Sequence, residues 1–239
     1  MKTPRPDFPT GRAFWQRMAS LEDECARKSL RSGSKQVEAI VDGLGTVVSL
    51  LYRTACCYWG CHGREHVFEY LAGRTCTSAL GSYRLIGFGY YDESLALSRN
   101  ISEIGNLMQL FFSDAAHIRK WIDSSEKERR HDYSPAAVRK TIEALDGVVP
   151  TDKDHYAWLC EVGTHVNPST LPGAHNDERR PILGSIFQTQ GHETSVRALA
   201  WAVCTVAGPL AKLAILERQH ANELLEQTLS LVELLPDEP

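Results

Sequence analysis

Cys56, Cys57, Cys61, His62 and His66 form the densest run of reactive side chains in the 239-residue chain. Cys57/Cys61 and His62/His66 each sit four apart, so either pair could share a helix face, and zinc would accept such ligands tetrahedrally. A structural zinc site normally draws paired ligands from two separated segments, and adjacent Cys56 and Cys57 point about 100° apart on a helix. Buried thiols beside a glycine break are the plainer expectation, because unpaired cysteine packs as a small apolar residue. The reading is therefore no metal and no cofactor, with a metal-binding helical protein as the weakest of three functional alternatives.

Glu161 and His165 are also four apart, near the end of a helix, where a carboxylate could orient or charge an imidazole for general acid/base work. The structural alternative is a histidine favoured by the helix C-terminus, where its cationic form meets the macrodipole. Arg99 and Glu103 make a third four-residue pair, on the side of their helix that also carries Asn106 and Leu110. Exposed, such a pair contributes well under about 1 kcal/mol, whereas covered by another helix it becomes a buried polar network. Two short basic patches, Lys127/Arg129/Arg130/His131 and Arg179/Arg180, are diluted by Glu126, Glu128 and Asp132 and by Asp177 and Glu178, so solvated charged turns are expected rather than phosphate sites.

The elements that must hold these residues are helical. Leu97, Ile101, Ile104, Met108, Phe111, Ala115, Ile118 and Ile122 recur in alternating steps of four and three, the seam of a buried helix from Asp92, read as its N-cap, to about Asp123. A helix over about 12–32, another from its Ser34 cap to about Trp59, and a glycine-weakened one over 64–91 precede it. Gly60 and Gly63 mark the break between the last two. Gly87-Phe88-Gly89 lacks the further glycines and the lysine of a phosphate loop. Ser134-Pro135 starts a helix that Gly147 stops, and Thr151 with Asp154 opens one through Val166, ended by Asn167-Pro168. Residues 167–191, rich in proline and glycine, make a connection far longer than the usual ~4–6 residues. Gly208-Pro209 should kink or split the final segment, about 192–235.

A net charge of −4 gives no general attraction to nucleic acid or anionic lipid. The apolar run Thr46 to Cys61 is too short to span a bilayer, which takes about 20 residues, and it carries Arg53, so no membrane partner is expected. Seven irregularly spaced cysteines and an N-terminus without an apolar core suggest a reducing cytosol. The expectation is an all-α, single bundle of about seven or eight helices, with residues 1–11 as a loose arm and 12–239 as the domain.

Ser98-Arg99-x3-Glu103 in a long apolar helix, followed after a charged interval by Tyr156-Ala157-Trp158-Leu159-Cys160-Glu161-Val162-Gly163-Thr164-His165-Val166-Asn167-Pro168, resembles a widespread group of uncharacterised bacterial all-helical proteins. The resemblance covers about residues 35–170. That group is similar to HEPN-like proteins, some of them dimeric ribonucleases of toxin–antitoxin or phage-defence systems whose active motif is arginine, four to six residues, then histidine. None of the nine histidines here has an arginine at that spacing, and Cys160 stands where an arginine would precede His165. A neutral thiol cannot stabilise a phosphate transition state as guanidinium does. The resemblance therefore implies a HEPN-like interaction or binding protein, a homo-oligomer with a protein partner or RNA, whose recognition surface includes the long loop and the Glu161/His165 helix end. The alternative is a metal-independent ribonuclease with His165 as acid/base, Glu161 orienting it, and Arg99, paired with Glu103, or the Arg129/Arg130 patch holding phosphate.

Overall fold

Apolar residues at three-and-four spacing favour helices, and the computed structural model contains ten helices and no strand among the residues it describes: 8–31, 33–57, 61, 66–165, 168, 170–213 and 215–235. They are α1 (Gly11–Ser29), α2 (Lys35–Ala55), α3 (Val67–Gly87), α4 (Tyr91–Ser113), α5 (Ala116–Asp123), α6 (Glu126–Asp132), α7 (Pro135–Ala144), α8 (Lys153–Gly163), α9 (Thr189–Lys212) and α10 (Arg218–Leu234). The expected all-α class holds, and the helix number is ten rather than seven or eight.

α9 is the central element, packed against α2, α3, α4 and α10. It is long and apolar enough to cross a membrane by composition, yet 78% of that apolar window is buried inside the protein. Leu199, Val203, Val206 and Leu210 on α9 meet Ile101, Met108 and Phe111 on α4 in one continuous core that also takes Ile40, Leu44 and Leu51 from α2. A smaller cluster of Leu95, Leu159 and Ala198, with Trp158 and Val162 packed on it, ties α8 to α4 and α9.

Three local events raise the helix number. The seam helix breaks at Asp114, whose backbone is extended and whose Oδ1 accepts from the Ala116 N–H at 2.9 Å, the turn chemistry of aspartate competing with the helix ladder. Burial accordingly ends at Phe111; Ala115 is exposed and Ile118 and Ile122 are half-buried. The charged interval is helical, because Ser125 and Glu128 form a reciprocal capping box at the start of α6. The last segment splits after Lys212, one turn beyond Pro209, which α9 accommodates within its length.

Several boundaries move for identifiable reasons. Ser34 and Ser134 cap their helices as expected, accepting from the Val37 and Ala137 N–H groups. Asp92 lies inside the first turn of α4 rather than capping it, its carboxylate taken by the long loop. α7 ends through Asp146 in the left-handed region, one residue before Gly147. Asp152, not Thr151, caps α8 by accepting from the His155 N–H at 2.8 Å. α8 stops at Gly163 rather than Val166. His62, Gly60, Gly63, Val166, Asn167 and most of the 1–11 arm lie outside the described residues.

Candidate functional site

The side of α4 that carries Arg99, Glu103 and Asn106 is covered by α8 and the segment before it. Asn106, 2% exposed, is bound in both directions to the Thr151 backbone, its Nδ2 donating to the carbonyl and its Oδ1 accepting from the N–H, each at 2.9 Å. Arg99 pairs with Glu103 at 2.8 Å, donates from Nε to Cys160 Sγ at 3.0 Å and from Nη2 to the Tyr156 hydroxyl. Tyr156 passes its own proton on, donating to Glu103 Oε1 at 2.7 Å. The guanidiniums of Arg99 and Arg139 lie 5.0 and 4.7 Å from the Tyr156 ring centroid, within cation–π range.

This closes the question left by the spacing: the Arg99/Glu103 pair is part of an interhelical network. Burial works against the Arg99 charge, but Cys160 and Glu103 outweigh it and hold the guanidinium above its ordinary value. Burial, and then the bond to Glu103, push the Tyr156 hydroxyl well above the usual phenol range. A double-mutant cycle between Arg99→Met and Glu103→Gln in urea unfolding should give a coupling of about 1.5 kcal/mol. A value near the ~0.3–0.5 kcal/mol of an exposed helix pair would contradict the network.

On the other side of α8, residues 170–188 of the connection fold into a structured arm. Ile182 N–H donates to Pro172 O, Asn176 Nδ2 donates to Arg180 O, and the Asn176 Oδ1 accepts from the Arg180 N–H, so the arm is tied to itself. Asp92 ties it to the bundle: one oxygen accepts from the Gly173 N–H at 2.8 Å and the other meets His175 Nε2 at 2.6 Å. Burial would raise the Asp92 carboxyl, but the His175 and Gly173 bonds outweigh it and hold it below its ordinary value. The His175 ring also stands edge-on to the buried Tyr91, whose hydroxyl accepts from the Gln188 N–H. Gly191 makes the approach possible, since a Cβ there would lie 2.4 Å from the Tyr91 ring.

Between this arm, α8 and the first turns of α4 and α9 lies a cleft of about 760 Å³. Asp92, Glu161, Asp177, Arg179, His175 and Trp158 are among the side chains lining it. With Asp92 and His175 bonded to each other, the charges left to the cleft are the Glu161 and Asp177 carboxylates and the Arg179 guanidinium, and Trp158 adds an aromatic side chain to the lining. Such a lining suits a cationic or mixed polar ligand and opposes a polyanion.

The sequence candidates are thus divided. Glu161 is in the cleft, and Arg99 with Glu103 is in the network behind α8. The expected pairing of Glu161 with His165 does not form, because α8 ends at Gly163 and the backbone leaves helical geometry at Thr164 (φ −134). His165 is exposed, its N–H donating to Cys160 O at 2.7 Å. Arg130 is held by Glu126 and His131 by Asp132 within α6, as Arg180 is by Glu178. These are solvated patches as expected, except that Arg129 is half-buried with its Nη1 donating to the Ser124 carbonyl and Arg179 reaches the cleft. Asp92, Gly173 and His175 were not sequence candidates; a proline- and glycine-rich segment containing a lone histidine was the available signal.

No protein-family model, curated protein or solved structure matches the chain.

Proposed function

We propose that this is a helical interaction protein, HEPN-like in architecture and self-associating, whose recognition site is the cleft under the 170–188 arm and whose occupant is a basic segment of a partner protein. One observation carries the reading: the long connection is folded and pinned by Asp92, and beside it Glu161 and Asp177 line a cleft whose one guanidinium is that of Arg179. Glu161 and Asp177 would take lysine or arginine side chains, and Trp158 would take a cation on its ring face. A reducing compartment, expected from the sequence, is part of the same proposal. A place in a toxin–antitoxin or phage-defence pair is the setting the resemblance implies for such a protein.

The test is fluorescence anisotropy of labelled lysine/arginine-rich and acidic peptides, and of RNA, with the purified chain. Basic peptides should bind, and Glu161→Gln with Asp177→Asn should weaken them about tenfold, two screened charge contacts together amounting to about 1.4 kcal/mol. Preferential binding of RNA or of the acidic peptide would remove the proposal. Solution mass tests the self-association, which a strict monomer at all concentrations would rule out.

One contact favours the ribonuclease alternative: the guanidinium of Arg99 reaches Cys160, the position five before His165 where the HEPN-like motif carries its arginine. Digestion of total cellular RNA in chelator, with His165→Ala as control, separates the readings. Cleavage lost in that variant would make His165 the acid/base and displace the binding proposal.

A further inference from the structure

Cys57, Cys61, His66 and Glu69 bring one ligand atom each to the junction between α2 and α3, and all four atoms lie within 4.8 Å of one another. Two of the edges come within about 0.2 Å of the length a tetrahedral ion imposes. Cys57 Sγ to His66 Nδ1 is 3.7 Å and His66 Nδ1 to Glu69 Oε1 is 3.5 Å. Zinc bonds of about 2.3 Å to sulfur and about 2.0–2.1 Å to nitrogen and oxygen at the tetrahedral angle give edges of about 3.5 and 3.4 Å.

The backbone at the cluster is left-handed at one ligand. His66 immediately precedes α3 with φ 52 and ψ 26, a left-handed conformation that a non-glycine residue adopts at a cost of about 1–3 kcal/mol. Glu69, in the first turn of α3, is 3% exposed, and an ionised carboxylate is buried at a cost that falls when a cation shares its site. The cysteines at the same place are exposed, unlike Cys25, Cys76, Cys160 and Cys204, which pack as buried thiols, so apolar burial does not account for them. The plain reading of this cysteine run as core packing therefore fails for Cys57 and Cys61.

We propose that Cys57, Cys61, His66 and Glu69 form a tetrahedral site for a borderline-soft divalent cation, zinc above all, that clamps the α2–α3 junction. Two thiolates select against magnesium and calcium, which take oxygen ligands. The four side chains fill the coordination sphere, which is the arrangement of a structural rather than a catalytic ion. Metal binding releases the thiol protons and adds its free energy to the fold. The site lies in a different part of the chain from the cleft, so it stands or falls independently of the proposed recognition function.

The test is titration of the full-length, metal-stripped protein with Co²⁺ and then Zn²⁺, in a phosphine reductant that keeps Cys57 and Cys61 from pairing as a disulfide. One equivalent of cobalt should bind with thiolate-to-metal charge transfer in the near-ultraviolet and the intense visible bands of a tetrahedral ion, and zinc should displace it. Cys57→Ser and Cys61→Ser, both at exposed positions, should weaken binding by about a hundredfold or more, since even indirect partners of a metal ligand are worth 10–100-fold. Cys56→Ser should leave it unchanged, and Glu69→Gln should shift the visible bands. A folded, reduced wild-type chain without the charge-transfer band, or a Cys56→Ser variant as impaired as Cys57→Ser, would overturn the proposal.

Discussion

Gly163→Ala is expected to destabilise the protein by about 2 kcal/mol and to lower its Tm by about 4–8 °C. A Cβ at this position would lie 2.6 Å from the Ala96 backbone nitrogen and 3.0 Å from the Asp92 carbonyl oxygen. Those are main-chain atoms inside α4, which cannot rotate aside as a side chain would, so α8 must move off. The movement would strain the bonds between Arg99 and both Tyr156 and Cys160 on one side and the Glu161 wall of the cleft on the other. Gly45→Ala is the contrasting substitution: it sits within α2 with nothing inside 4 Å of its added Cβ, and should stabilise by about 0.5–1 kcal/mol through helix propensity alone. Urea unfolding of both variants beside wild type checks the pair. Equal effects would mean that the α4–α8 contact is not the tight one.

The contrast shows what single-sequence reasoning can reach. Ile101, Met108 and Phe111 announce their helix face because a buried stripe repeats locally, and Ser34 and Ser134 announce helix starts because a cap acts within three residues. The capping box of Ser125 and Glu128 was equally local, and its S-x-x-E spacing was legible within a stretch whose charges suggested a turn. Arg99 and Glu103 were recognisable as a pair, but whether they were solvated depended on Tyr156 and Cys160, more than fifty positions away. The same holds for Glu161, whose neighbour one helical turn along the chain is His165. A helix that stops at Gly163 removes that turn and leaves Glu161 facing a wall made by the distant arm.

The length of that arm was evident from its prolines and glycines; what fixes it was not, because the anchor, Asp92, lies 83 residues before His175 and 81 before Gly173. Asp92→Ala should release the arm. Hydrogen bonds to a charged group contribute about 1.5–3 kcal/mol each, and the two share one carboxylate, so the local loss is about 3 kcal/mol, or about a hundredfold in the opening equilibrium. Amides in 172–188 should exchange about a hundred times faster in the variant, while those of α2 and α9 keep their protection. Asp92→Asn, which retains an acceptor without the charge, should fall between the two. The pH dependence has a definite sign. The Asp92 carboxyl titrates below its ordinary 3.8 in the folded chain, so its contribution is complete above about pH 4, where an unfolded aspartate is also ionised, and is lost as pH falls through the lower folded value. The Gly173 amide proton, which donates to this carboxylate, reports the step directly by its NMR chemical shift. It should show a step as the pH falls below 3.8 in wild type. A Gly173 signal with no step below 3.8 would remove the Asp92 carboxylate as the anchor.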